Sequence, residues 1–153
     1  MMSLWSGAAL WICALGVTPL MLSASQALRW ERDSLARGQA VLLAQDLAHR
    51  LQLNASAAAQ YELSWGQQPA ALSCRDRPCS RTDWAQADLS QWRTRLAQAL
   101  PDGDAWLRAG SSDTPRWLVL AWASEAAPDS SSTTRLPIVC PERKRCLALV
   151  LNP

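Results

Sequence analysis

The chain of 153 residues contains no Phe, a single Tyr and a single His. One His offers little to a Ser-His-Asp set, and His49, beside Arg50, reads as an exposed position on a helix. Six Gly are scattered, and neither G-x-G-x-x-G nor G-x-x-x-x-G-K occurs, so no phosphate cradle is indicated. A net charge of +2 is too small to argue for nucleic acid. Asp102, Asp104 and Asp113 sit in turn-like surroundings, where Asp favours the backbone geometry. No catalytic, cofactor or metal site is therefore expected. Without Phe, bulky core aromatics must come from the nine Trp. Trp65, Trp84, Trp92, Trp106, Trp117 and Trp122 are read chiefly as core, with a carbohydrate-binding surface as the rival.

Charge is missing in one block. From Met1 to Leu28 there is no Asp, Glu, Lys, Arg or His; all fifteen Lys and Arg and all thirteen Asp and Glu lie beyond. About 20 such residues span a bilayer as a helix. Leu4, Trp5, Ala9, Leu10, Trp11, Ile12, Leu15, Val17, Leu20 and Leu22 would form its apolar surface. Pro19 would break this helix in water and is tolerated with a kink in lipid. Two readings compete. Ser23-Ala24-Ser25 and Ser25-Gln26-Ala27 resemble signal-peptide cleavage sites, although no Lys or Arg precedes the run. The alternative is a retained membrane helix that continues outward.

The following stretch supports continuation. "RWERDSLARGQAVLLAQDLAHRLQLN" holds no Pro and one Gly, Gly38, and Leu28, Leu35, Leu42, Leu43, Leu47 and Leu51 recur at helix-like intervals. A single helix of about 50 residues is expected, apolar all round at first and amphipathic later. Residues 1–28 would be its transmembrane half and 29–153 a soluble domain, divided into a half-helix (29–54), a connection with a second helix (55–103) and a sheet (104–153). Leu43, Leu47 and Leu51 are expected to pack the helix on that sheet.

Five Cys are present. Cys13 lies in the uncharged run, and the others form two close pairs, Cys74/Cys79 and Cys140/Cys146. An even number behind an export-like N-terminus indicates an oxidising compartment and disulfides. Three connectivities are possible. The two local ones are favoured because each closes a small polar loop containing Pro78 or Pro141. Zinc is the rival, disfavoured by spacings wider than C-x2-C and by the one distant His.

"ASAAAQYELSWGQQPAALS" reads as a long connection without firm structure. "TDWAQADLSQWRTRLAQALPDG" reads as a helix capped by Thr82 or Asp83, with Leu89, Trp92, Leu96 and Leu100 on one face and Pro101-Asp102-Gly103 as the stop. "AWLRAG", "RWLVLAWAS", "RLPIVC" and "CLALVLNP" read as strands, the last two as hairpin partners around "PERKR". Arg143-Lys144-Arg145 reads as a solvated loop. Strands joined without helices imply an antiparallel sheet, hence an α+β fold.

Three places now suggest a family. "ARGQAVLLAQDLAHRLQLN" ends the long helix; Cys74 and Cys79 precede "DLSQWRTRLAQALPDG"; and the chain closes on a Cys-bridged hairpin. Together these resemble the PilV-like minor pilins, or type IV pilus modification proteins, over under half of the chain. The resemblance implies a pilin-like fold and a structural, non-enzymatic subunit without cofactors. It implies anchoring in the bacterial inner membrane with a periplasmic domain, then incorporation into an extracellular pilus. Its partners would be other minor pilins that prime assembly, the major pilin and a tip adhesin; no nucleic acid is implied. Adhesion and twitching motility would be the associated processes. Two features depart from the family. No basic leader precedes the apolar run, and Trp5 stands where the mature helix would carry Glu. A terminal position, with no subunit above it, would tolerate that loss. The rival readings are a minor pseudopilin of a type II secretion system and, in another class, a secreted enzyme or carbohydrate-binding domain.

Overall fold

The computed structural model describes residues 3–75, 78–110, 114–124 and 138–151, with side chains from residue 26 onward. Helix α1 is Ser3–Leu53. The chain forms two compact units, Met1–Ser34 and Leu35–Pro153. In the first, the backbone is helical from Ser3, Ser34 Oγ donates to the Glu31 carbonyl at 2.9 Å, and Leu28 and Trp30 are exposed. The apolar positions expected to face membrane, from Leu4 to Leu22 and including Pro19, lie outside the residues whose side chains are described. Among the described residues, no helix is long and apolar enough to cross a membrane.

The second unit begins with the amphipathic part of α1. Ala36, Ala40, Leu43, Ala44, Leu47 and Leu51 are buried, at steps of three and four that keep them on one face. A 3₁₀ segment, Ala55–Gln60, follows. Helix α2, Arg81–Ala99, is started by Ser80, not by Thr82 or Asp83. The Ser80 hydroxyl accepts from the Asp83 N–H at 3.1 Å, and the Asp83 carboxylate accepts from the Ser80 N–H at 2.9 Å. This reciprocal capping box places the first turn ahead of Thr82. Ala85, Leu89, Trp92 and Leu96 form the buried face of α2, and Leu100 closes it.

Gly103 explains the stop. A Cβ there would lie 2.9 Å from both Leu100 Cβ and the Leu96 carbonyl oxygen, so only glycine lets the chain leave the helix by this route.

Three strands follow: β1 Asp104–Arg108, β2 Arg116–Ala123 and β3 Lys144–Leu151. They form an antiparallel sheet in the order β1-β2-β3. The registers Leu107–Leu118–Leu149 and Ala105–Leu120–Leu147 put these side chains on one face. That face joins the hydrophobic core with Leu43, Leu47 and Leu51 of α1 and Leu89, Trp92 and Leu96 of α2.

Among the described residues, the partner of the last strand is β2 and not the expected hairpin strand. The strand containing "CLALVL" pairs with β2, while residues 138–140 of "RLPIVC" are not in a strand; 135–137 and the final "NP" lie outside the described residues. β2 accepts the full length of β3, from Arg116 opposite Leu151 to Ala123 opposite Lys144. Nor are Arg143-Lys144-Arg145 a solvated loop. Arg143 turns the chain at φ 59°, and Lys144 opens β3 with its Nζ 2.9 Å from Asp102 Oδ2.

Candidate functional site

Two stretches singled out in the sequence, "LLAQDLAHRLQLN" and "DLSQW", meet in the second unit. Trp92 is fully buried, and its indole Nε1 donates to the Leu43 carbonyl oxygen of α1 at 2.8 Å. A helical carbonyl has a second lone pair beyond its intrahelical bond. The indole can therefore grip α1 without opening its ladder, and the ring fills the space that a Phe would otherwise occupy.

A polar network continues from this anchor. Arg50 Nε donates to Asp46 Oδ2 at 3.1 Å on its own helix, and Arg50 Nη1 reaches α2 at Asp88 Oδ1 (2.8 Å) and Gln91 Oε1 (3.0 Å). The other Asp88 oxygen accepts the Tyr61 hydroxyl at 2.7 Å. Asn54 Nδ2 donates to the Arg81 carbonyl at 2.8 Å and approaches the Tyr61 oxygen at 3.5 Å. The helix, the 3₁₀ exit and α2 are thus held by directed bonds as well as by apolar packing. Charge-assisted bonds of this kind contribute about 1.5–3 kcal/mol each.

Tyr61 records the environment. Burial, and next the bond to Asp88, push its phenol from 10.0 up to about 12, against the opposing hydrogen bond of Asn54. The folded chain therefore holds this proton where an unfolded chain would release it. The associated stability is whole below pH 10 and is lost as pH rises through about 12. Unfolding measured between pH 9 and pH 11.5 should show this loss, on the order of 2 kcal/mol, and Tyr61→Phe should flatten the slope. The chain has one Tyr, so its ionisation is also readable directly by ultraviolet absorbance; a midpoint near 10 in the folded protein would contradict the geometry.

A second buried network was not foreseen. Arg93 donates to Asp104 Oδ1 at 3.0 Å and to the Gly103 carbonyl at 2.9 Å. Asp104 also accepts the N–H of Gly66, at 3.0 Å to Oδ2, and that of Ala105, at 2.8 Å to Oδ1. Asp104 is therefore a buried anchor for α2, β1 and the connecting segment, not a solvated turn residue. A signal was present: Arg93 follows Leu89 by four and precedes Leu96 by three, which places it on the apolar face. The connection itself is pinned again where Leu63 and Leu107 exchange N–H···O bonds of 2.9 Å.

The disulfides are Cys74–Cys79 and Cys140–Cys146. Of the six Trp proposed as core, Trp92 and Trp122 are buried and Trp84 is exposed. Trp65, Trp106 and Trp117 are half-buried. His49 is exposed. Among the described residues, no His, Cys, Asp and Glu cluster could hold a metal ion.

A helix interlocked with a small antiparallel sheet is an α+β arrangement consistent with a pilin fold. Residues 24–90 match the Tt1218-like family, described as type IV pilin Tt1218. The match supports a type IV pilin, a structural component of an envelope-associated pilus. It spans Asp46, Arg50, Asn54, Tyr61 and Asp88 and ends before Trp92 and the sheet. No curated protein and no solved structure matches the chain.

Proposed function

We propose that this chain is a minor pilin, a structural subunit that joins other minor pilins in a complex priming type IV pilus assembly at the pilus tip. The observation that carries this reading is the tie of α1 to α2 through Arg50 and Asp88, both inside the segment that matches a pilin family. Within the second unit these bonds fasten α2 to the lower part of α1. The uncharged half of α1 would sit in the inner membrane before assembly and among neighbouring helices afterwards, so the subunit changes solvent without covalent chemistry. Trp5, in place of the usual acidic residue, favours a position with no subunit above. The major pilin would lie below it, and a tip adhesin would be carried beside it.

Purification from membranes tests the reading. The full chain should bring down other minor pilins, and its mature form should retain the uncharged run. A mature N-terminus at Gln26 or Leu28 would refute it, because the anchoring helix would be gone. Tip placement is a separate matter for gold labelling of filaments, where regular labelling along the shaft would rule it out.

A further inference from the structure

One aromatic ring escapes the core. Trp84, in the first turn of α2, is 48 % exposed, while Trp92 and Trp122 are buried. It lines a cleft of about 430 Å³ between α1 and α2, within the roughly 300–1,000 Å³ usual for small-ligand sites. Leu53 is the other apolar side chain of this cleft, and the remaining six lining residues are polar or charged. Such walls suit hydroxyl groups better than an apolar side chain.

Three observations narrow the ligand. The polar walls are already set by bonds within the chain. Arg50 holds Asp88 Oδ1 at 2.8 Å and Asp46 Oδ2 at 3.1 Å, and the Tyr61 hydroxyl holds Asp88 Oδ2 at 2.7 Å. A carboxylate oxygen accepts more than one hydrogen bond, so fixed acceptors remain for hydroxyl donors. Next, Asn54 lines the cleft at 5 % exposure, and its Oδ1 has no hydrogen-bond partner. Turning the amide over would not repair this, because Nδ2 donates to the Arg81 carbonyl at 2.8 Å. A buried acceptor left without a donor points to a ligand hydroxyl. Last, both acids of the cleft are answered by Arg50, whereas among the described residues the Arg81 guanidinium pairs with no carboxylate. A guanidinium matches an incoming carboxylate through two parallel bonds.

We propose that this cleft is a saccharide-binding site for a sugar residue that carries a carboxylate, of the uronic-acid kind. The Trp84 indole stacks on the apolar C–H face of the sugar ring. Arg81 forks the carboxylate, and ring hydroxyls donate to Asn54 Oδ1 and to the open lone pairs of Asp46 and Asp88. The site does not rest on the minor-pilin reading.

Calorimetric titration of the full chain, purified in detergent, tests it. Digalacturonate should bind saturably at one per chain, and cellobiose at least tenfold more weakly. Acetate should not compete at equal concentration. Trp84→Ala should weaken digalacturonate at least tenfold, with the unfolding midpoint nearly unmoved because the ring is exposed. Arg81→Gln should erase the preference for digalacturonate over cellobiose. Absence of saturable binding by either sugar would overturn the inference. So would full affinity in Trp84→Ala, or competition by acetate, which would show an anion site only. Equal affinity of the wild-type chain for cellobiose would overturn the role of Arg81 and, with it, the carboxylated ligand.

Discussion

Leu47→Asp is expected to unfold the second unit near neutral pH. Leu47 is fully buried in the cluster that contains Leu43 and Leu51 of α1 and Leu118 and Leu120 of the sheet. Removing the leucine forfeits about 1.5–3 kcal/mol of burial. The carboxylate then needs either an unpaired charge in an apolar site or a proton taken up against pH 7. Together these terms exceed about 5 kcal/mol, comparable with the whole stability of a domain this size. The inserted Asp would have a raised folded pKa, so its penalty is small below pH 4 and grows as pH rises. Circular dichroism of the full chain should therefore show loss of cooperative melting at pH 7 and partial recovery near pH 4. Leu42→Asp is the control. Leu42 is adjacent to the buried Leu43 but 59 % exposed, and its replacement should change stability by under about 0.5 kcal/mol. Equal damage from both would mean that the buried face has been misassigned.

The contrast between Leu42 and Leu43 also shows how far the sequence could be read. The leucines from Leu28 to Leu51 suggested one recurrent stripe. The structure divides them: Leu43, Leu47 and Leu51 go inside, and Leu35 and Leu42 stay outside. The rest of the buried face is made by Ala36, Ala40 and Ala44. These small residues let neighbouring elements approach closely, yet they contribute little to a hydrophobicity pattern, so the inner face was under-weighted.

Helix α2 was more legible because Leu89, Trp92 and Leu96 contrast sharply with the polar residues between them. Its cap was misplaced by two or three residues because Ser80, Thr82 and Asp83 all suit an N-terminus, and only the reciprocal Ser80–Asp83 bonds choose among them. Strand β2 was readable as a continuous apolar run, for Leu118 through Trp122 are buried on both faces. Its partner was not. Local sequence suggested a hairpin around the Cys140–Cys146 loop, while the pairing of β3 with β2 depends on an edge contributed by residues far away. The interlock had the same limitation. Arg50 and Asp88 are ordinary helix-surface residues in one dimension, and only the packing of α1 against α2 brings them to 2.8 Å.

Asp104→Ala is expected to produce the other large effect, through a different mechanism. Arg93 and Asp104 are both buried, and Asp104 collects the guanidinium together with the N–H groups of Gly66 and Ala105. Truncation removes little apolar area. It leaves a buried guanidinium with only the Gly103 carbonyl, and the Gly66 and Ala105 donors lose their carboxylate acceptor. Breaking one side of a buried pair costs about 3–5 kcal/mol, much more than the intact pair adds over an apolar substitute. The melting midpoint should fall by more than 10 °C at the 4–8 °C per kcal/mol typical of domains near this size. Arg93→Met with Asp104→Ala removes both charges and should recover part of the loss, whereas independent effects would simply add. The segment around Gly66 should respond first, because its tie to β1 runs through the same carboxylate. Hydrogen exchange there should accelerate in Asp104→Ala, while Trp92 keeps its bond to Leu43 until the unit unfolds globally. Unchanged exchange at Gly66 would show that the connecting segment is held by the Leu63–Leu107 bridge alone.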